Sequence, residues 1–346
     1  MLFQKGAFTL TQEMDWANLG FGYRKANCMF VAEYKDGKWN EGELREEDTL
    51  PIHVASTCLH YGQEGFEGMK AYRAKDGRIL LFRPEENAKR LQRTSERIMM
   101  AKVPTDFFVD AVKKVVKANE EFIPPYGTGG SLYIRPVLFG TGPMMGVQPS
   151  KEYTFVIFVS PVGAYFKAGL SPVNFITTTY DRAAAHGTGQ AKVGGNYAGS
   201  LLPHKEAVDK GFADCVYLDP LTHTKIDEVG AANFFGITKD GGFVTPISSS
   251  ILGSITKYSL LQVAKDLGME AEEREVHIDN LDEFAEAGAC GTAAVITPIG
   301  AIEHDGKKHV FYSETETGPI TRKLYDHLTG IQYGDIEDKH GWITEL

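Results

Sequence analysis

Residues 189–200 read Gly-Gln-Ala-Lys-Val-Gly-Gly-Asn-Tyr-Ala-Gly-Ser, one lysine, Lys192, among four glycines. A lysine ordinarily lies along a surface with its ammonium in water. Glycine in ordered chain marks backbone that turns sharply or lets something come close. A lysine in so weakly charged a pocket loses solvation and its pKa falls. The free amine is then a nucleophile for a carbonyl, with which it forms a Schiff base.

The carbonyl compound must be held by other groups, and the sequence offers candidates. In SSSILGSITKYSLL (248–261), small residues and Gly253 lead into a helical pattern containing Leu260. A helix start carries unpaired N–H groups and partial positive charge, so it can hold a phosphate. Ile255 and Thr256 would offer backbone N–H, and Thr256 a hydroxyl as well. The plainer reading of such a stretch is an ordinary helix cap. A phosphate also suits an arginine fork, and the helical segment 84–100 supplies Lys89, Arg90, Arg93 and Arg97. The plainer reading there is a solvated basic face. A phosphate cradle with a Schiff-base lysine suggests pyridoxal 5'-phosphate, whose ring nitrogen needs an acid to keep it protonated. Glu228, in IDEVGAANFFG (226–236), is the candidate, against the plainer reading of an exposed loop acid.

Two nucleotide fingerprints fail. GTGQAK (187–192) has Lys192 where the third glycine of G-x-G-x-x-G belongs, and Ala183-Ala184-Ala185 before it is no strand. GTGPMMG (140–146) has the wrong spacing, and no G-x-x-x-x-G-K-[ST] occurs. The net charge of -10 argues against nucleic acid. Four scattered cysteines, Cys28, Cys58, Cys215 and Cys290, fit a reducing compartment and give neither a disulfide framework nor a metal site. The first residues, MLFQKG, lack a signal-peptide core. The apolar run from Tyr153 to Phe166 is too short to span a bilayer. A cytoplasmic protein with no membrane or nucleic-acid partner is expected.

The elements that position these groups follow from pattern. FVAEYKDGKW (30–39) and MKAYRAKDGRILLF (69–82) read as hairpins turning at Asp-Gly. Pro84-Glu85-Glu86 opens a helix to about Met100, with Ala88, Leu91, Ser95 and Ile98 on one seam. A second helix is predicted over 105–121, and strands over 131–139, 153–162, 173–180, 215–219 and 293–299. Further helices are predicted over 260–267, stopped by Gly268, and over 281–287. Strands and helices intersperse without strict alternation, which predicts an α+β or mixed-sheet α/β fold. Two domains are expected, 1–162 and 173–346, joined by a loop at 163–172.

Several strings together give a resemblance. AKVGGNYAGSLLPHKEA (191–207), DEVGAANFF (227–235) and ILGSITKYSLLQVAKDLG (251–268) resemble the branched-chain amino acid aminotransferases, pyridoxal-phosphate enzymes of fold type IV. YGQEGFEGMKAYR (61–73), LFRPEENAKRLQRTS (81–95), SLYIRPVLFGTGP (131–143) and FVSPVGAYF (158–166) extend it through the first half. GTAAVITPIG (291–300) and GPITRKLYDHLTGIQYG (318–334) extend it through the second.

The resemblance implies roles. Lys192 is the cofactor lysine and the proton carrier; Tyr197 bonds the cofactor's phenolic oxygen and Glu228 its ring nitrogen. Arg90, Ile255, Thr256 and Thr292 hold the phosphate. Tyr61, Phe66 and Tyr133 wall the side-chain pocket, Arg135 with Tyr61 takes the distal carboxylate of glutamate, and backbone at Thr292 and Ala293 takes the α-carboxylate. Lys70 lies at the pocket rim, and Gly194 and Gly195 let backbone pass close to the cofactor. Ala231 and Lys257-Tyr258 depart from the family pattern, where threonine and arginine are common, and the CxxC pair of mammalian relatives is absent. The implied reaction is ping-pong transamination between L-leucine, L-isoleucine or L-valine and 2-oxoglutarate, by a homodimer whose subunits share pocket residues. Within the same fold, a D-amino-acid aminotransferase or an aminodeoxychorismate lyase is the alternative; outside it, a non-catalytic homologue.

Overall fold

Alternation in Ser131–Gly140 sets the layout of the first half: Leu132, Ile134 and Leu138 are buried, while Tyr133, Arg135 and Val137 face the other way. The computed structural model describes residues 14–163 and 170–346. Its first sheet has nine strands, all antiparallel. The order is Ile343–Glu345, Ile79–Phe82, Met69–Arg73, Ser131–Gly140, Tyr153–Val162, Met29–Lys35 and Lys38–Trp39. Glu43–Arg45 flanks Met29–Lys35, and Glu64–Phe66 flanks Ser131–Gly140. The expected hairpin at Asp36-Gly37 forms with both residues at positive φ, as a tight two-residue turn requires.

Helices Pro84–Arg97 and Thr105–Ala118 cover one face of this sheet. Leu91, Phe108, Val112 and Val116 pack there against Leu132, Ile134, Phe155 and Ile157. Pro84 takes the first helical position, with Glu85 and Glu86 in the first turn. The second helix stops at Ala118, short of the predicted 121. Asn119 is fully buried and accepts from the Asn27 N–H at 2.8 Å, so the chain turns into a 3-10 stretch, Glu120–Phe122.

The second sheet also has nine strands and closes on itself. The ring runs Ile226–Val229, Asp214–Leu218, Val173–Thr177, Val295–His304, Phe284–Gly291 and Ala232–Thr238, then back to Ile226–Val229. Two pairings within it are parallel, those of Val173–Thr177 with each neighbour. This is the mixed-sheet, α+β architecture that the pattern predicted. Along Ala232–Thr238, Phe234 enters one apolar cluster while Phe235 and Ile237 enter another with helices Ile255–Asp266 and Pro319–Tyr333.

The predicted helix 281–287 does not form. Residues Ile278–Glu283 make a 3-10 turn and Phe284–Gly291 is a strand of the ring. Its alanines favour helix locally, but pairing on both edges overrides that preference. The 293–299 strand begins at Val295 instead, because residues 292–294 form the turn that precedes it, and the 173–180 strand ends at Thr177. The first helix ends at Arg97, since Met99 turns to positive φ. The 260–267 pattern is the later part of Ile255–Asp266, and Gly268 stops it at φ 79°. Within the expected joining loop, residues 164–169 lie outside the described residues, as do residues 1–13.

The ring needs a glycine at 288. A Cβ there would sit 2.3 Å from the ring of Phe235, which is fully buried and stacked on Phe243. Gly288→Ala is expected to destabilise the fold by about 1–3 kcal/mol. A urea midpoint equal to wild type would show that the ring accommodates the methyl.

Candidate active site

Lys192 sits between the two sheets, and its backbone is held by residues of the first half. Its N–H donates to Thr94 Oγ1 at 3.0 Å, on helix Pro84–Arg97. Its carbonyl accepts from the Phe66 N–H at 3.0 Å, on strand Glu64–Phe66. Two residues on, the Gly194 N–H donates to the Glu64 carboxylate. A Cβ on Gly194 would collide with that same carboxylate, so this glycine serves the contact with Glu64, while Gly195 faces open space.

The side chain of Lys192 is enclosed by aromatic groups. Nζ donates to Tyr197 Oη at 2.8 Å and lies 4.8 Å from the centre of the Phe66 ring. Phe66 and Tyr197 meet edge to face at 4.9 Å. Burial, aided by the positive charge of Arg90, lowers the Lys192 pKa to about 8. Burial, then the nearby Glu228, push the Tyr197 phenol up to about 12. Tyr197 thus stays protonated: its oxygen accepts from the ammonium, and its O–H can donate to the free amine.

Arg90 and Glu67 form a fully desolvated fork. Arg90 Nε and Nη2 donate to the two Glu67 oxygens at 2.8 and 2.7 Å, with relative exposures of 4% and 0%. Burial opposes the Arg90 charge, but the Glu67 carboxylate outweighs it and holds the guanidinium above its usual range. Arg90 Nη1 donates to the Gly253 carbonyl at 3.1 Å, tying this arginine to the loop before helix Ile255–Asp266. Ser254 caps that helix by accepting from the Lys257 N–H. The first-turn N–H groups of Ile255 and Thr256 have no carbonyl within the helix to reach. Lys257, one of the departures, is paired with Glu273 at 2.6 Å.

Glu228 is buried on strand Ile226–Val229 at 4% exposure, not in an exposed loop. One oxygen accepts from the Leu252 N–H at 2.7 Å, and the other lies 3.2 Å from Arg182 Nε. Near Lys192, strand alternation brings Tyr133 and Arg135 to one face, Arg135 donating to Tyr133 Oη at 3.0 Å and lying over the Phe66 ring at 4.7 Å. Thr292 and Ala293 form the turn before Val295–His304, where the Ala293 carbonyl accepts from Lys70 Nζ at 2.8 Å. Lys70 is buried, and burial lowers its pKa to about 8. Tyr61 keeps different company. It is largely exposed, stacks on His60 and donates its hydroxyl to the Met145 carbonyl.

Sequence reasoning missed Glu67, Glu64, Thr94 and Arg182. Glu67 carried a signal, an acid between Phe66 and Gly68, the same kind of misplaced charge that drew notice to Lys192. Arg182, in TTTYDRAAAH, carried none.

The class IV amino-transferase family model matches residues 65–302. The branched-chain-amino-acid aminotransferase of Haemophilus influenzae is 63% identical over 341 residues, covering 97% of this chain and 99% of that protein. The chain belongs to the class IV aminotransferases. Among solved structures, the branched-chain amino acid aminotransferase of Escherichia coli aligns with a TM-score of 0.78 at 30% identity, covering 92% of this chain and 99% of that one. The branched-chain amino acid aminotransferase of Thermobaculum terrenum, solved in its PLP form, aligns at 0.77, with 25% identity and 93% and 98% coverage.

The residues of this aminotransferase fit the family's cofactor. The donor set holds a buried amine, a buried acid, a guanidinium with N–H groups left over, and an open helix start. Arg135 Nε is buried without a partner in the same cleft.

Two outcomes follow from the burial. Glu67→Gln removes the counter-charge of a buried arginine, so cofactor-free protein should lose about 3–5 kcal/mol in urea unfolding. A loss below about 1 kcal/mol would refute the tight pairing. Because its amine pKa is lowered, Lys192 gains free base through pH 8 and saturates above it, whereas solvated lysines keep gaining toward about 10.4. Acylation of Lys192 in cofactor-free protein, followed by peptide mass, should therefore level off above pH 8. A rate that tracks the surface lysines would contradict the burial effect.

Proposed function

We propose that this protein exchanges amino groups between L-leucine, L-isoleucine or L-valine and 2-oxoglutarate, using pyridoxal 5'-phosphate in two alternating half-reactions. What supports this above all is the Lys192 amine, its pKa lowered to about 8, held 2.8 Å from Tyr197 and within electrostatic reach of Arg90 and Glu228. The near full-length relative of H. influenzae supports the substrate class.

The bound cofactor supplies a covalent electron sink for the α-carbon's electrons. Lys192 would anchor it, and the Lys192 amine would hold and move the proton taken from the substrate α-carbon. An amine near pKa 8 is present in both forms around neutrality, which suits it to holding and releasing that proton. Tyr197 fixes Nζ and bonds the phenolic oxygen. Glu228 keeps a proton on the ring nitrogen. Arg90, Ile255, Thr256 and Thr292 bind the phosphate. Phe66 and Tyr133 exclude water around the branched side chain, worth roughly 1.5–3 kcal/mol on burial, and Tyr61 would join them once a second subunit covers it. Arg135 receives the distal carboxylate of 2-oxoglutarate, while backbone at Thr292 and Ala293 receives the α-carboxylate.

The active protein is proposed to be a cytoplasmic homodimer. Tyr61 and Leu59, on the short helix Thr57–Tyr61, stand with exposed Val54, Met145 and Val147 of two loops tied by the Met144 N–H to the Ala55 carbonyl. A second subunit on this apolar surface would cover it and bring Tyr61 into a pocket. Four free thiols suit a reducing compartment, and no helix among the described residues is long and apolar enough to cross a membrane. The site lies between the proposed domains, 1–162 and 173–346, with 163–172 joining them; strand Ile343–Glu345 crosses back to the first sheet.

The visible spectrum tests the proposal. The yellow band of pyridoxal phosphate-loaded protein should bleach with L-leucine and return with 2-oxoglutarate, and Lys192→Ala should form no such band. A band unmoved by L-leucine would sink the substrate assignment; no band in wild type would sink the role of Lys192.

A further inference from the structure

Glu228 lies in surroundings that disfavour a carboxylate. Burial pushes its pKa up, and the acid Asp227 beside it adds to that push. The groups that oppose it are few: Arg182, the Leu252 N–H and the more distant Lys192. Tyr197 and Cys290 also face it, both held neutral by their raised pKa values. Of these, Arg182 alone brings a full charge into contact, Nε lying 3.2 Å from Glu228 Oε2 with both side chains 5% exposed. Its Nη2 donates to the carbonyls of Gly189, at 2.7 Å, and Ser250. Arg182 therefore reaches the acid from the 178–192 segment and is clamped on both sides, by the lysine-bearing loop and the loop before the phosphate helix.

We propose that Arg182 is a positioning residue, the internal counter-ion that keeps Glu228 a carboxylate aimed at the ring nitrogen of the cofactor. Neither Glu228 oxygen is saturated by its present partner, so the acid can accept an N–H without giving up Arg182 or Leu252. Without the guanidinium, Glu228 would take a proton itself and could no longer retain one on the ring. The consequence for turnover rests on the transaminase reading; the ionisation of Glu228 does not.

The test uses Arg182→Met, which removes the charge, and Arg182→Lys, which keeps the charge but loses the planar fork and its two carbonyl contacts. In cofactor-free protein, the infrared band of the Glu228 carboxylic acid, identified by its loss in Glu228→Gln, is followed against pH. Wild type should show no protonated Glu228 at pH 7, Arg182→Met should show it, and Arg182→Lys should largely restore the ionised form. In loaded protein, Arg182→Met should lower kcat at pH 7 about 100-fold with little change in KM, and its acid limb should move to higher pH. If Arg182→Met does not fold, Arg182→Lys decides: a folded lysine variant with Glu228 protonated at pH 7 overturns the proposal. Identical Glu228 titration in wild type and Arg182→Met overturns it too. A spectrum that ignores L-leucine while the infrared titration behaves as expected would sink the substrate reading and leave this inference standing.

Discussion

The Lys192 amine is enclosed by protein, with Arg90 nearby and no ion pair of its own among the described residues, and the other features of the site follow from that arrangement. Bringing its pKa to about 8 corresponds to roughly 3 kcal/mol in favour of the free amine relative to water. Such a group stays put only if its backbone is fixed by something other than the charge. Thr94, Phe66 and Glu64 supply that, each bonding main chain at residues 192–194. The lysine belongs by sequence to the second half but is located by the first, so the two halves must dock before the site exists.

Charge around the lysine is arranged in two buried pairs, Arg90–Glu67 and Arg182–Glu228. Buried pairs give little net stability, because desolvation offsets most of their attraction. Their value lies in orientation: Arg90 is held by both Glu67 oxygens, and Glu228 by the Leu252 N–H with Arg182 beside it. Gly253 and Leu252, adjacent in one loop, bond to Arg90 and Glu228 respectively. One short segment thereby couples the Arg90 end of the site to the Glu228 end.

The closed ring of six strands explains why the acid is buried. Glu228 lies opposite Tyr217 on one neighbouring strand and Asn233 on the other, so it has no solvent edge. The 284–291 strand belongs to the same ring, and closure accounts for the one segment where helical preference gave way. A strand paired along both edges satisfies its backbone fully, which an isolated amphipathic turn at the surface could not match.

Much of this was written locally. Lysine among glycines, the Ser-Ile-Thr helix start, the Arg90 helix with its proline at the first position and the Asp-Gly hairpins all rest on neighbours in the chain, so sequence determined them. It also determined the family, because several separate strings recur in one order. What only tertiary structure decided is pairing across distance. Glu67 fixes Arg90 across 23 positions. Arg182 reaches Glu228 across 46, from a segment with no periodicity of its own. Tyr61, set beside Tyr133 and Phe66 by family resemblance, instead lies with Met145 on an open surface. A side chain's type restricts what it can bind, but which buried charge it meets depends on how strands close and halves dock, and no local pattern records that.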